Sequence, residues 1–174
     1  RRVAEVICGA VRLKPDAVLG LPTGATPIAA YLELAKRASA GACDFRGATA
    51  FAVDEFASAG RTTPGTNSFY YRQYLRMGMR ALHVPNPAAA HPDEHIRAFA
   101  DAVRRAGGFD LCVLGIGVNG HIAFNEPGSG LDSRARAVDL TPESRRAHAA
   151  AFGSLVAVPA RGMTLGIADL LESR

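Results

Sequence analysis

Apolar positions along the chain follow two alternating rhythms, one helical and one extended. Val3, Ile7, Ala10 and Val11 fall on one helical face, and Pro15-Asp16 ends that pattern before the continuous apolar run Ala17 to Leu21. This predicts a helix over 3–13 that feeds a strand over 17–21. Helical spacing returns with Ile28, Tyr31, Leu32 and Ala35, where Thr26 suits an N-cap and Pro27 a first helical position. Ala48 to Val53 reads as a strand that runs out on Asp54-Glu55-Phe56. A loop with Gly60, Pro64 and Gly65 follows, then a helix-compatible pattern over 67–80 through Phe69, Tyr70, Gln73, Tyr74 and Met77.

The Pro- and Ala-rich stretch 83–91 reads as a connector. Ile96, Phe99, Ala100 and Val103 place an amphipathic helix over 93–105, which Gly107-Gly108 stops. Leu111 to Leu114 has the length and apolar continuity of a strand covered on both faces. Thr141-Pro142-Glu143 supplies cap, first residue and early acid for a helix over 141–151, and a last helix starts within 168–171. Helices alternating with short strands predict an α/β fold: an open, mostly parallel sheet with helices on both faces, a Rossmann-like three-layer sandwich. At 174 residues, one domain spanning 1–174 is expected.

The chemistry gathers at the strand ends. After Leu114, Gly115, Gly117 and Gly120 permit sharp turns or close backbone approach, and Asn119, His121, Asn125 and Glu126 follow in quick succession. Ligands of open α/β sheets collect beyond the carboxyl ends of strands, so an imidazole and a carboxylate there are catalytic candidates. Pro22-Thr23-Gly24-Ala25-Thr26-Pro27 joins a strand to a helix N-terminus, a place where free N–H groups and the helix dipole favour an anion such as phosphate. The turn is neither a Walker loop nor a Gly-x-Gly-x-x-Gly fingerprint. Adjacent Asp54 and Glu55 point to opposite sides of their strand, so the two acids are expected to differ in role.

Composition narrows the classes. A hydrophobic content of 48% against 21% charged residues argues for a packed core, and the net charge of +4 comes from scattered Arg pairs without interleaved aromatics. A small anionic substrate accounts for that excess, with no nucleic acid implied. Cys8, Cys43 and Cys112 are odd in number and sit in apolar surroundings, as reduced thiols do. His83, His91 and His95 are too irregular for a metal set. Neither a membrane-spanning run nor a secretory signal is seen, so the expectation is a cytoplasmic protein with no membrane partner.

Three stretches together resemble the glucosamine-6-phosphate deaminases, a branch of the sugar-phosphate isomerase and lactonase group: Leu21-Pro-Thr-Gly-Ala-Thr-Pro27, Val53-Asp-Glu-Phe56 and Gly115-Ile-Gly-Val-Asn-Gly-His-Ile-Ala-Phe-Asn-Glu-Pro127. The resemblance implies a cofactor-free reaction that opens glucosamine 6-phosphate, isomerises it through an enol-type intermediate and releases ammonia, leaving fructose 6-phosphate. Carried over by position, Asp54 is the base, His121 the ring-opening group, and Asn119 and Glu126 its assistants; Thr23, Gly24, Ala25, Thr26, Glu55 and Gly117 are substrate-binding candidates. A homo-oligomer is expected by the same likeness. Ser133 to Arg136 resembles a segment that binds an allosteric sugar phosphate in some members.

Departures from the pattern accompany the match. The family often has Asp at the position of Asn119, and Ala150 stands where many members place a substrate-binding Arg, with Arg145 or Arg146 as the substitutes at hand. The family also carries a strand ahead of residue 1 and a later phosphate-contacting Lys, so the sheet is expected to be incomplete at both ends. A 6-phosphogluconolactonase is the nearest rival, though the Asn125-Glu126-Pro127 ending favours the deaminase; a non-catalytic sugar-phosphate sensor is the alternative from another class.

Overall fold

The computed structural model describes residues 1–173. In chain order its elements are α1 (Arg2–Leu13), β1 (Val18–Leu21), α2 (Ile28–Ser39), β2 (Thr49–Ala52), β3 (Asp54–Phe56), α3 (Asn67–Tyr74), β4 (Ala81–His83), α4 (Pro92–Arg105), β5 (Leu111–Cys112), β6 (Arg136–Asp139), α5 (Pro142–Phe152), β7 (Arg161–Thr164) and α6 (Ile167–Leu171). A four-stranded parallel sheet has the order β4-β2-β1-β5. Alternate strand residues feed two cores on its opposite faces. Leu19, Leu21, Ala50 and Ala52 join Ile7, Val11, Tyr31 and Leu34 in one, whereas Val18 and Phe51 join Ile96, Phe109, Met163 and Leu165 in the other. Helices therefore cover both faces, as the alternation of elements predicts.

The apolar run ending at Asp54-Glu55-Phe56 is not one strand. It breaks at Val53, leaving β2 in the parallel sheet and starting β3 in a three-stranded antiparallel sheet of order β3-β7-β6. Val53 ties the two sheets together, its carbonyl accepting from the Leu165 amide at 3.0 Å. The helix expected over 67–80 stops at Tyr74, because the chain turns at Gly78 (φ 67) and buries Met77 in the first core. The Arg80 amide then bonds to the Ala48 carbonyl and leads into β4, a short strand that no expectation covered and that ends at His83, where the expected connector begins. β5 is only two residues long and half-buried, an edge strand that among the described strands pairs with β1 alone, though Leu111 packs on the first core and Cys112 on the second. Thr26 does not cap α2: Pro27 is the N-cap residue and no side chain caps that helix.

The order of strands fixes where a ligand fits. From β1 the chain proceeds to β2 and β4 on one side, then returns to place β5 on the other side of β1. Such a reversal opens a crevice at the carboxyl ends of the two strands that flank it.

Candidate active site

A cavity of about 260 Å³ occupies that crevice, lined by Thr23, Thr26, Asp54, Gly117, His121 and His148 among others. The turn after β1, the start of β3 and the loop after β5 thus meet in one place. Two tyrosine hydroxyls brace the first of these, Tyr31 donating to the Pro22 carbonyl and Tyr71 to the Leu21 carbonyl, each at 2.5 Å.

Asp54 and Glu55 point apart. Asp54 lines the cavity, and the Asn67 side-chain amide donates to its Oδ1 at 2.6 Å and to its carbonyl at 2.9 Å. Burial, reinforced by the charge of Glu55 and opposed by the Asn67 bond, pushes the Asp54 carboxyl up to about 7. Glu55 is fully buried and does not reach the cavity, so its expected substrate contact is corrected: its oxygens accept from the amides of Phe56, Asn67 and Ser68 and from the Ser68 hydroxyl. Burial raises its carboxyl and those hydrogen bonds oppose the rise. Glu55 is a cap for the N-terminus of α3, where free amides favour a carboxylate.

His121 stands at the end of a chain of fixed hydrogen bonds. Glu126 accepts from the Asn119 side-chain nitrogen at 2.8 Å and from the Thr141 amide at 3.0 Å. Because a carboxylate only accepts, this bond orients the Asn119 amide and leaves its Oδ1 facing His121 Nδ1, 2.6 Å away. Nδ1 therefore carries the proton, and Nε2 is the ring nitrogen left to accept one. Ser144 Oγ lies 3.2 Å from the same Nδ1. Burial would raise Glu126, but hydrogen bonds from Ser144, Asn119 and the Thr141 amide, together with His121, hold it below its ordinary value. Gly117 fits by necessity, since a Cβ there would stand only 2.1–2.4 Å from three atoms of the His121 ring. Ala123, on the cavity wall, takes a left-handed conformation at φ 51, a strained one for a residue with a side chain.

The turn 23–26 is divided between two spaces. Thr23 and Thr26 line the first cavity, while Gly24 and Ala25 line a second of about 430 Å³ that shares Thr23 and His148 with the first. Ala150 lies on the second cavity's wall. Arg145 and Arg146 do not replace the side chain it lacks: Arg145 donates to the carbonyls of Leu155 and Val158, Arg146 pairs with Glu143, and neither lines either cavity.

Three residues of the site went unread in the sequence. Asn67 accepts from the Thr23 hydroxyl at 2.8 Å while donating to Asp54, and so bridges the turn to the carboxylate. Ser144 and His148 follow the cap residue Thr141 at three and seven positions, one face of α5, a spacing that was available as a signal. Asn67 has no such periodic mark.

Comparison with known proteins identifies the chain's relatives. A family profile described as glucosamine-6-phosphate isomerases/6-phosphogluconolactonase matches residues 1–149. The glucosamine-6-phosphate deaminase of Halothermothrix orenii is 36% identical over 178 residues, covering 100% of this chain and 74% of that protein. That of Rhodopirellula baltica is 40% identical over 181 residues, covering 99% and 70%. Among solved structures, a monomeric glucosamine-6-phosphate deaminase superposes with a TM-score of 0.94 at 34% identity, over 99% of this chain and 73% of that one. A 6-phosphogluconolactonase from Shewanella baltica reaches a TM-score of 0.72 at 19% identity, covering 99% and 72%, a likeness of fold alone. The chain belongs to the glucosamine-6-phosphate isomerase/6-phosphogluconolactonase family, on its glucosamine-6-phosphate deaminase branch.

Proposed function

We propose that this chain converts glucosamine 6-phosphate into fructose 6-phosphate and ammonia, with residues 1–174 acting as one catalytic domain. The observation that carries the reading is that Asp54 and His121 line a single cavity closed at one side by the 23–26 turn. His121 Nε2 accepts a proton from the anomeric hydroxyl and returns one to the ring oxygen, opening the sugar. Asn119 and Glu126 hold the imidazole in the tautomer this requires and stabilise its charged form. Asp54 then removes the C2 proton and delivers it to C1, turning the amino aldehyde into a ketimine that water hydrolyses to the ketose and ammonia. A carboxyl near 7 suits a group that must be base in one half of this step and acid in the other. The Thr26 hydroxyl and the turn's amides hold the phosphate end and align the carbons over Asp54, while the Thr23 hydroxyl stays bonded to Asn67.

Every group given a role here comes from one chain. Incubation with glucosamine 6-phosphate should yield ammonia and fructose 6-phosphate in equal amounts, and Asp54→Asn should abolish both. Hydrolysis of 6-phosphogluconolactone without any ammonia would replace this reading with the lactonase.

A further inference from the structure

The two cavities meet at Thr23 and His148. His148 projects from α5 and is held by aromatic rings, edge-on to Phe56 at a centroid distance of 5.1 Å and to Phe124 at 6.0 Å. Beyond it the second cavity is walled by Ala147, Ala150 and Ala151 of α5 and by Tyr70 and Tyr74 of α3. The Tyr70 hydroxyl is buried with no partner among the described residues. No Lys or Arg side chain lines either cavity in the described residues. Among the described residues, the side chains of the junction that can carry charge toward an anion are Asp54, which repels it, His121, whose Nδ1 is committed to Asn119, and His148.

We propose that His148 is a substrate-contacting residue that binds the phosphoryl group at the junction of the two cavities, opposite the 23–26 turn, and becomes imidazolium as the anion arrives. This rests on the sugar-phosphate reading above and goes beyond it by naming a cation within this chain. The groups around His148 set its behaviour: His121 and Glu126 from the loop after β5, Asp54 from β3, and Tyr70 and Tyr74 from α3. On its own helix, Arg145 and Arg146 are turned to other partners. Burial and the proximity of His121 lower the His148 pKa, with Glu126 opposing, so the ring stays neutral until the ligand supplies negative charge. Binding then takes up a proton, and affinity for the anion weakens as pH rises.

Titration calorimetry with inorganic phosphate at pH 7, in two buffers of different ionisation enthalpy, tests this on the intact chain. His148→Gln should weaken phosphate binding about 10-fold or more, the loss expected for one charge-assisted hydrogen bond, and should take up close to one proton fewer than the wild type. His148→Arg should restore affinity without restoring the proton. Thermal unfolding of both variants separates these effects from a loss of packing against Phe56 and Phe124. Equal affinity and equal proton uptake in wild type and His148→Gln, or no phosphate binding by the folded wild type, overturns the proposal. With glucosamine 6-phosphate, the Gln variant should raise KM more than it lowers kcat. A wild type that binds phosphate through His148 yet forms no ammonia would refute the deaminase reading while upholding this one.

Discussion

At the scale of single residues, the Asp54 carboxyl couples catalysis to stability. Its pKa of about 7 in the folded chain, against an ordinary 3.8, means the native state keeps a proton that the unfolded chain has already lost. Stability contributed by the neutral form is complete below about pH 4, falls as pH rises toward 7, and is gone above it. Asp54→Asn removes the buried charge but keeps an oxygen for the Asn67 donor. That variant should therefore be inactive yet about 2–4 kcal/mol more stable than wild type at pH 8, an advantage that shrinks by pH 5. Urea unfolding at the two pH values checks it, and equal advantages at both would remove burial of charge as the cause. In the active enzyme the same ionisation sets the acid limb, so kcat/KM should climb with pH through about 7. Because Glu55 is the second cause of the raised value, Glu55→Gln should move that limb to lower pH.

At the scale of elements, the two helices that complete the site begin on residues bonded to site carboxylates. Thr141 caps α5 through the Ser144 amide and also donates to Glu126, while the N-terminus of α3 closes on Glu55. Glu55→Ala leaves three amides and a hydroxyl without their acceptor and should cost about 3 kcal/mol or more in chemical unfolding. It should also depress kcat, since Asn67 opens α3 and holds Asp54. A fully active, fully stable variant would strip Glu55 of this capping role. Much of this level is legible in sequence: the cap at Thr141, the amphipathic α4 and the glycine loop carrying His121 all obey local rules. The antiparallel sheet is not, because β3 and β6 are three and four residues long, β6 and β7 carry Arg136, Asp139 and Arg161, and β3 pairs with β7 more than 100 residues away. No local pattern marks such pairing. Asn67 escapes notice for a related reason, its partners Thr23 and Asp54 being brought to it by separate strands.

At the scale of the whole molecule, the site depends on how closely β5 approaches β1, for these are the strands that flank the reversal of strand order. Gly20 of β1 is in register with Cys112 of β5, and a Cβ built at Gly20 would stand 2.6 Å from Cys112 Sγ and 3.3 Å from both Cys112 Cβ and a Phe109 ring carbon. Glycine thus permits a strand separation that any larger residue would force open. Gly20→Ala should destabilise the fold by about 1–3 kcal/mol, the usual cost of overpacking. It should also lower kcat/KM, because pushing β5 outward carries His121 away from Asp54. Cys112→Ala removes the sulfur that makes the nearest contact, though not the Cβ or the Phe109 ring, so the double variant should recover part of both losses. The two substitutions would then be coupled rather than additive, by an amount a double-mutant cycle of unfolding and turnover measures directly. Strict additivity would mean that the β1 to β5 spacing does not limit the site, and that the crevice between them is held open by other parts of the fold.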